Sequence, residues 1–124
     1  MTLDKLCDFK KGTLHLDHNH IKYLSDLPAL FAFIDKYYIQ TFSIQGAEDY
    51  LYTGITVPVF HALVDSLKRN NTLVEVNLHI FRGIVKSGDY EYMLRDVISV
   101  HPKLERIYLS RYDQFGAYSH VMLK

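Results

Sequence analysis

The stretch Phe60-His61-Ala62-Leu63-Val64-Asp65-Ser66-Leu67-Lys68-Arg69-Asn70-Asn71-Thr72-Leu73-Val74-Glu75-Val76-Asn77-Leu78 decides how this chain is read. Its first half sets Phe60, Leu63, Val64 and Leu67 on one stripe at helical spacing. That helix begins after Thr56, with Pro58 in its first turn, and stops at Asn70-Asn71. The second half, from Leu73 to Leu78, alternates apolar and polar residues, the period of a strand with one wet face. A helix that runs straight into a strand is one structural unit, and the next question is how often it recurs.

It recurs on both sides. Leu27, Leu30, Phe31, Ile34 and Tyr38 form an earlier helical stripe, with Asp26 and Pro28 as start chemistry, and the alternating segment from Ile39 to Ile44 follows it. Leu94, Val97, Ile98 and His101 form a later stripe that begins near Asp89 and ends at Pro102, and the alternating segment from Leu104 to Leu109 follows. A further strand copy, Leu14-His15-Leu16-Asp17-His18-Asn19-His20-Ile21, precedes the first helix. Aligned on the apolar pairs 14/16, 42/44, 76/78 and 107/109, successive copies lie 28, 34 and 31 residues apart, an irregular repeat of one strand plus one helix. Surface insertions at residues 46–56 and 83–88 account for the longer units.

The polar positions decide the layering. Between the apolar residues stand His15, Asp17, Thr41, Ser43, Gln45, Glu75, Asn77, His79, Arg106, Tyr108 and Ser110. A doubly wound flavodoxin-like sheet would trap about ten such side chains under helices, at roughly 1–3 kcal/mol for each one left unpaired. A sheet covered on one side leaves them in water. Strands joined by helices are expected to be parallel with right-handed crossovers.

The first strand copy fits Leu-x-Leu-x-x-Asn-x-Ile, and the segment from Phe60 to Leu78 resembles the helix-then-strand unit of the leucine-rich-repeat family, in its ribonuclease-inhibitor and tropomodulin-like branch. The resemblance covers roughly residues 11–110. Asn19 stands at the family's Asn position, which Ala47, Phe81 and Tyr112 fill in the other copies. The expectation is an α/β protein, a short right-handed β/α solenoid with about four parallel strands on the concave side and three helices on the convex side. Residues 1–10 are expected to cap the N-terminal end, and residues 111–124 to form a C-terminal cap or tail. A different two-layer β/α fold, like that of the STAS regulatory domains, satisfies the same alternation.

Composition narrows the function classes. A chain of 124 residues with 48% hydrophobic content fills one core and one domain. Fourteen Lys and Arg balance fourteen Asp and Glu, so no long-range field collects nucleic acid or an anionic membrane. Seven His residues would make the chain more cationic below about pH 6. The single Cys7 forms no internal disulfide, which points to a reducing, intracellular and most simply cytoplasmic setting. The first residues lack the apolar run of a signal peptide, and no window approaches the roughly 18 apolar residues of a membrane span. Cys7 is expected to be an ordinary buried or half-buried thiol. No glycine-rich phosphate loop and no Gly-x-Ser-x-Gly elbow occurs, so no cofactor is expected.

Stacked in register, the strands would set His15, Ser43, Asn77 and Tyr108 in one row and Asp17, Gln45, His79 and Ser110 in the next, with Glu75 and Arg106 beside them. These ten residues are the expected binding face for a protein partner, with Arg106 and Tyr108 as its energetic centre. They do not assemble a nucleophile, base and orienter, so catalysis is not expected. The competing reading takes His15, Asp17, His18 and His20 as metal ligands in a metal-binding protein or hydrolase, because imidazole and carboxylate are ligands of zinc and iron. Tyr50, Tyr52, Tyr90 and Tyr92 lie in or beside the insertions, where function is tolerated. A non-enzymatic adaptor, inhibitor or subunit of a larger assembly is the role this pattern favours.

Overall fold

Each of the three helical stripes forms a helix. In the computed structural model, which describes residues 2–45, 57–79, 89–112 and 118–124, they are α1 (Leu27–Lys36), α2 (Val57–Arg69) and α3 (Asp89–Val100). The Asp26 carboxylate accepts the Ala29 N–H at 3.2 Å and caps α1, with Pro28 in its first turn. The insertions at 46–56 and 83–88, with Ala47, Tyr50, Tyr52 and Phe81, lie outside the described residues.

The strands are β1 (Cys7–Asp8), β2 (Thr13–Leu16), β3 (Thr41–Gln45), β4 (Glu75–His79), β5 (Arg106–Tyr112) and β6 (Tyr118–Leu123), and they lie in that order in one open sheet. β2 to β5 are parallel, and their register joins Leu14 to Phe42, Phe42 to Val76 and Val76 to Ile107. The spacing of 28, 34 and 31 residues is thus the pairing register itself. The strand count differs from the expected four, because β1 and β6 pair antiparallel at the two edges. Short connections permit antiparallel return, and a two-residue strand such as β1 is too brief to show any periodicity. The chain re-enters β2 through Gly12, whose φ of +66° lies in the left-handed region.

Leu14, Leu16, Phe42, Ile44, Val76, Leu78, Ile107 and Leu109 have no solvent exposure. They form one core with the stripes of α1, α2 and α3, and the three helices lie side by side in chain order. Burying each such side chain contributes about 1.5–3 kcal/mol. Across the edge hairpin, Leu123 pairs with Ile107 and is equally buried. The first strand copy is shorter than its alternation suggests. β2 ends at Leu16, and Asp17 caps a 3-10 helix over His18–Asp26 by accepting the Asn19 N–H at 2.8 Å. Asn19 itself is exposed.

At the other end of the strands the backbone repeats one junction. The Gly12 carbonyl accepts the N–H groups of Gln40 and Thr41, the Gln40 carbonyl those of Val74 and Glu75, and the Val74 carbonyl those of Glu105 and Arg106. Beneath this ladder Asn70, 1% exposed, ties three helix ends together. Its Oδ1 accepts from the N–H groups of Thr72 and Leu73 at 3.0 and 2.9 Å and from His101 Nε2 at 3.1 Å, while its Nδ2 donates to Asp35 at 2.6 Å. His101 follows α3 rather than extending its stripe, and its Nδ1 accepts the N–H groups of Lys103 and Leu104. Only the neutral imidazole protonated on Nε2 satisfies all these partners. Burial, helped by the Lys103 charge, holds its pKa below the ordinary 6.5.

Tyr38 also departs from the expected stripe. It is 71% exposed, with φ at +52°, after α1 has ended. Ile39 N–H bonds to the Ile34 carbonyl and Tyr38 N–H to the Asp35 carbonyl, so Tyr38 fills the left-handed position of a Schellman cap, where glycine is usual.

Two outcomes follow. An unfolded chain takes up the His101 proton at higher pH than the folded one, so the stability from this network is complete above about 6.5 and is lost as pH falls below it. Urea midpoints measured from pH 7.5 to 5 should therefore decline, and His101→Gln should flatten that decline. Replacing Tyr38 with Gly removes left-handed strain of roughly 1–2 kcal/mol against a smaller backbone-entropy cost, so unfolding titrations should show a gain of about 0.5–1 kcal/mol.

Candidate functional site

The face of the sheet turned away from the helices is built from the alternate strand residues, and the register sets them in rows. His15, Ser43, Asn77 and Tyr108 form one row as expected, and Met122 of β6 extends it. Gln45, His79 and Ser110 form the next, and the Ser110 side chain lies outside the described atoms. Thr13, Thr41, Glu75 and Arg106 form a third; Thr41 was among the expected polar positions and Thr13 was not. Asp17 does not join the second row, because β2 has ended and its carboxylate serves as a helix cap.

The face is a bonded network. Arg106 Nε donates to Glu75 Oε1 at 2.6 Å, its Nη1 donates to Glu105 at 3.0 Å, and Asn77 Nδ2 donates to Glu75 Oε2 at 3.2 Å. The Glu75 bond raises the guanidinium pKa further. The two opposite charges, at the start of β4 and β5 on the margin of the face, therefore neutralise each other, and adjacent strands about 4.8 Å apart bring such a pair within reach. Ser43 is 8% exposed, held between its neighbours in the row, with its Oγ 3.0 Å from His15 Nδ1. Gln45 and His15 are exposed, and Thr41, Glu75, Asn77, His79, Arg106 and Tyr108 are half-buried.

The contact between Ser43 and His15 supplies a hydroxyl and a base. Nucleophilic chemistry also requires a group that orients the base. Among the described residues no carboxylate reaches His15 Nε2, and Asp17 is turned toward His20, whose Nδ1 lies 2.9 Å from Asp17 Oδ1. The same geometry divides the proposed metal ligands: His15 bonds across to β3 while Asp17 and His20 close the capping box. The His18 side chain lies outside the described atoms. Among the described residues no group of three His, Cys, Asp or Glu side chains could hold a metal ion, and no helix is long and apolar enough to cross a membrane.

Other residues singled out in the sequence lie elsewhere. Cys7 is half-buried on β1, and burial raises its thiol pKa. Tyr92 stands 81% exposed on α3. Alternation did not reveal an aromatic cluster of Phe9, Phe33 and Tyr37 at the N-terminal edge, because its members come from a turn, a position of α1 off the main stripe and the C-cap of that helix. Lone exposed aromatics beside Lys10, Lys11 and Lys36 were its only signal in the chain.

Comparison with protein-family models, curated proteins and solved structures gives no match.

The charge pair has a measurable signature. Arg106→Glu sets two carboxylates opposite each other on neighbouring strands and should lower the melting temperature. The double swap Glu75→Arg with Arg106→Glu restores an opposite-charge pair and should recover most of the loss in a thermal melt.

Proposed function

We propose that this protein is a small, non-enzymatic interaction module of leucine-rich-repeat-like architecture, a right-handed β/α solenoid that binds a protein partner across its open polar sheet and the rim of that sheet. The observation that carries the reading is the row His15, Ser43, Asn77, Tyr108, in register over four strands on the face that no helix among the described residues covers. It presents donors, acceptors and an aromatic ring on a rigid backbone, the composition of a recognition surface. The bonds among Glu75, Asn77 and Arg106 hold these side chains in place before binding, which lowers the entropy cost of docking.

Size refines the picture. Five strands and three rows span roughly 20 by 15 Å, or about 300 Å² in projection. A stable interface takes about 800 Å² from each partner, so the rim must contribute as well. The antiparallel edges β1 and β6 fit the role of caps at the two ends of the repeat array. The equal count of cations and anions supports a protein partner over a nucleic acid or a membrane surface, and the role is that of an adaptor, an inhibitor or a subunit of a larger assembly. A reducing, cytoplasmic setting completes the proposal.

Tyr108→Ala and Gln45→Arg alter this face without touching the core. Quantitative mass spectrometry of proteins retained by wild-type and variant baits should show a partner held by the wild type and weakened about tenfold or more by Tyr108→Ala, with melting temperatures within a few degrees. Retention of the same proteins in equal amounts by all three baits would exclude the sheet face.

A further inference from the structure

The two edges of the sheet are finished differently. β1 is two residues long, follows a 3-10 helix over Leu3–Leu6 and lies beside the charged residues Asp8, Lys10 and Lys11, so it offers little backbone to another strand. β6 runs for six residues and pairs with β5 on one side, and no described strand lies on its other side. Its sequence, Tyr-Ser-His-Val-Met-Leu, contains no proline and no Lys, Arg, Asp or Glu, the residues that blunt an edge against pairing. Leu123 is fully buried, Val121 half-buried and Met122 42% exposed. β6 therefore closes the core at this end while its own outer row of N–H and C=O groups has no described strand partner.

The helix layer ends in the same way. Lys68 of α2 reaches Asp96 at 2.7 Å, which marks the flank of α3 turned toward α2, and buried Leu94 and Val97 mark the side turned toward the sheet. At about 3.6 residues per turn, Glu91, Arg95 and Ile98 fall on the flank turned away from α2. No described helix lies beyond that flank, where Arg95 is exposed and Ile98 is half-buried. α3 lies against β5 and β6 alike. A further strand on β6, about 4.8 Å away, would therefore bring its own covering helix to about 10 Å from α3, the distance of packed helices.

We propose that this end of the molecule is a self-association surface, on which β6 of a second copy of the chain pairs antiparallel with β6 and joins two six-stranded sheets into one. A second copy fits better than a foreign strand because one two-fold axis matches both layers. The strands run antiparallel to each other without bringing like charges together, and the α3 helices, antiparallel under the same axis, bring Glu91 of each copy toward Arg95 of the other. A foreign strand would use the backbone edge and leave the α3 flank unmatched. The contact is about 20 Å long and, with one strand layer and one helix layer, about 20 Å deep. That is about half the 800 Å² per partner of a stable complex, so the dimer is weak, with Kd in the tens of micromolar. Joining the sheets also doubles the polar face to about 600 Å² in projection. That consequence alone rests on the role proposed for the sheet face.

The test is sedimentation of the full chain from about 1 μM to about 1 mM, combined with amide hydrogen exchange read by mass spectrometry. The expected result is a monomer–dimer equilibrium, with exchange across residues 118–123 slowing as concentration rises. Arg95→Glu should raise the dimer Kd about tenfold, and the double swap Glu91→Arg with Arg95→Glu should restore it. Met122→Lys, which adds a cation to the edge strand of each copy, should weaken the dimer by a similar factor, while Gln45→Arg on β3 leaves it unchanged. Circular dichroism spectra like that of the wild type establish that the variants fold. A monomer at every concentration would overturn the proposal, as would a dimer indifferent to Met122→Lys and Arg95→Glu or one that Phe9→Ser abolishes. Growth into species larger than a dimer would overturn it too, because a two-fold contact closes on itself. These measurements use the protein alone, so their failure is distinguishable from failure of partner capture by the sheet face.

Discussion

Two apolar side chains on each of four parallel strands, stacked in register from Leu14 and Leu16 to Ile107 and Leu109, are the constraint on which the rest of this structure depends. Because strand side chains alternate with a period of two, sealing these eight under the helices forces every intervening residue onto the opposite face. A slip of one residue in any strand would bury its polar set and expose its apolar set, so the register is strongly specified. The helices repeat with the strands and supply one apolar stripe each, which is why a single core runs under the whole sheet.

A core alone would leave the helix ends and strand starts unbonded, and buried polar groups without partners are costly. Asn70, Thr72 and His101 solve this where the helix ends meet the strand starts. They satisfy backbone groups at the junction and couple the ends of α1, α2 and α3 through one amide. Thr72 Oγ1 reaches the Ile39 carbonyl at 2.8 Å, which links this network to the chain entering β3. The network works only with a neutral imidazole, so a structural device carries a pH dependence with it.

The two surfaces that remain differ in their physics. The sheet face is polar, internally bonded and nearly neutral, because its opposed charges meet each other. The N-terminal corner is aromatic, with lysines that meet no carboxylate partner among the described residues. The sheet face carries a hydrogen-bond pattern fixed by the strand register, whereas the corner carries exposed rings next to lysine side chains.

Much of this was legible in the chain. Hydrophobic periodicity located α1, α2, α3 and the four parallel strands, since burial on one side imposes a period that propensity alone does not. It also assigned the row of His15, Ser43, Asn77 and Tyr108, because offsets between equivalent apolar pairs are the register. The strands β1 and β6, the cap at Asp17 and the removal of Tyr38 from its stripe were not legible, since each rests on short-range hydrogen bonds to the backbone that leave no periodic trace. Asn70 and His101 read as a helix end and a stripe position, and only packing three helix ends together made them partners. The sequence by itself determined which side chains must avoid water; the tertiary structure decided which polar groups found one another, because such meetings join residues 28 to 35 positions apart.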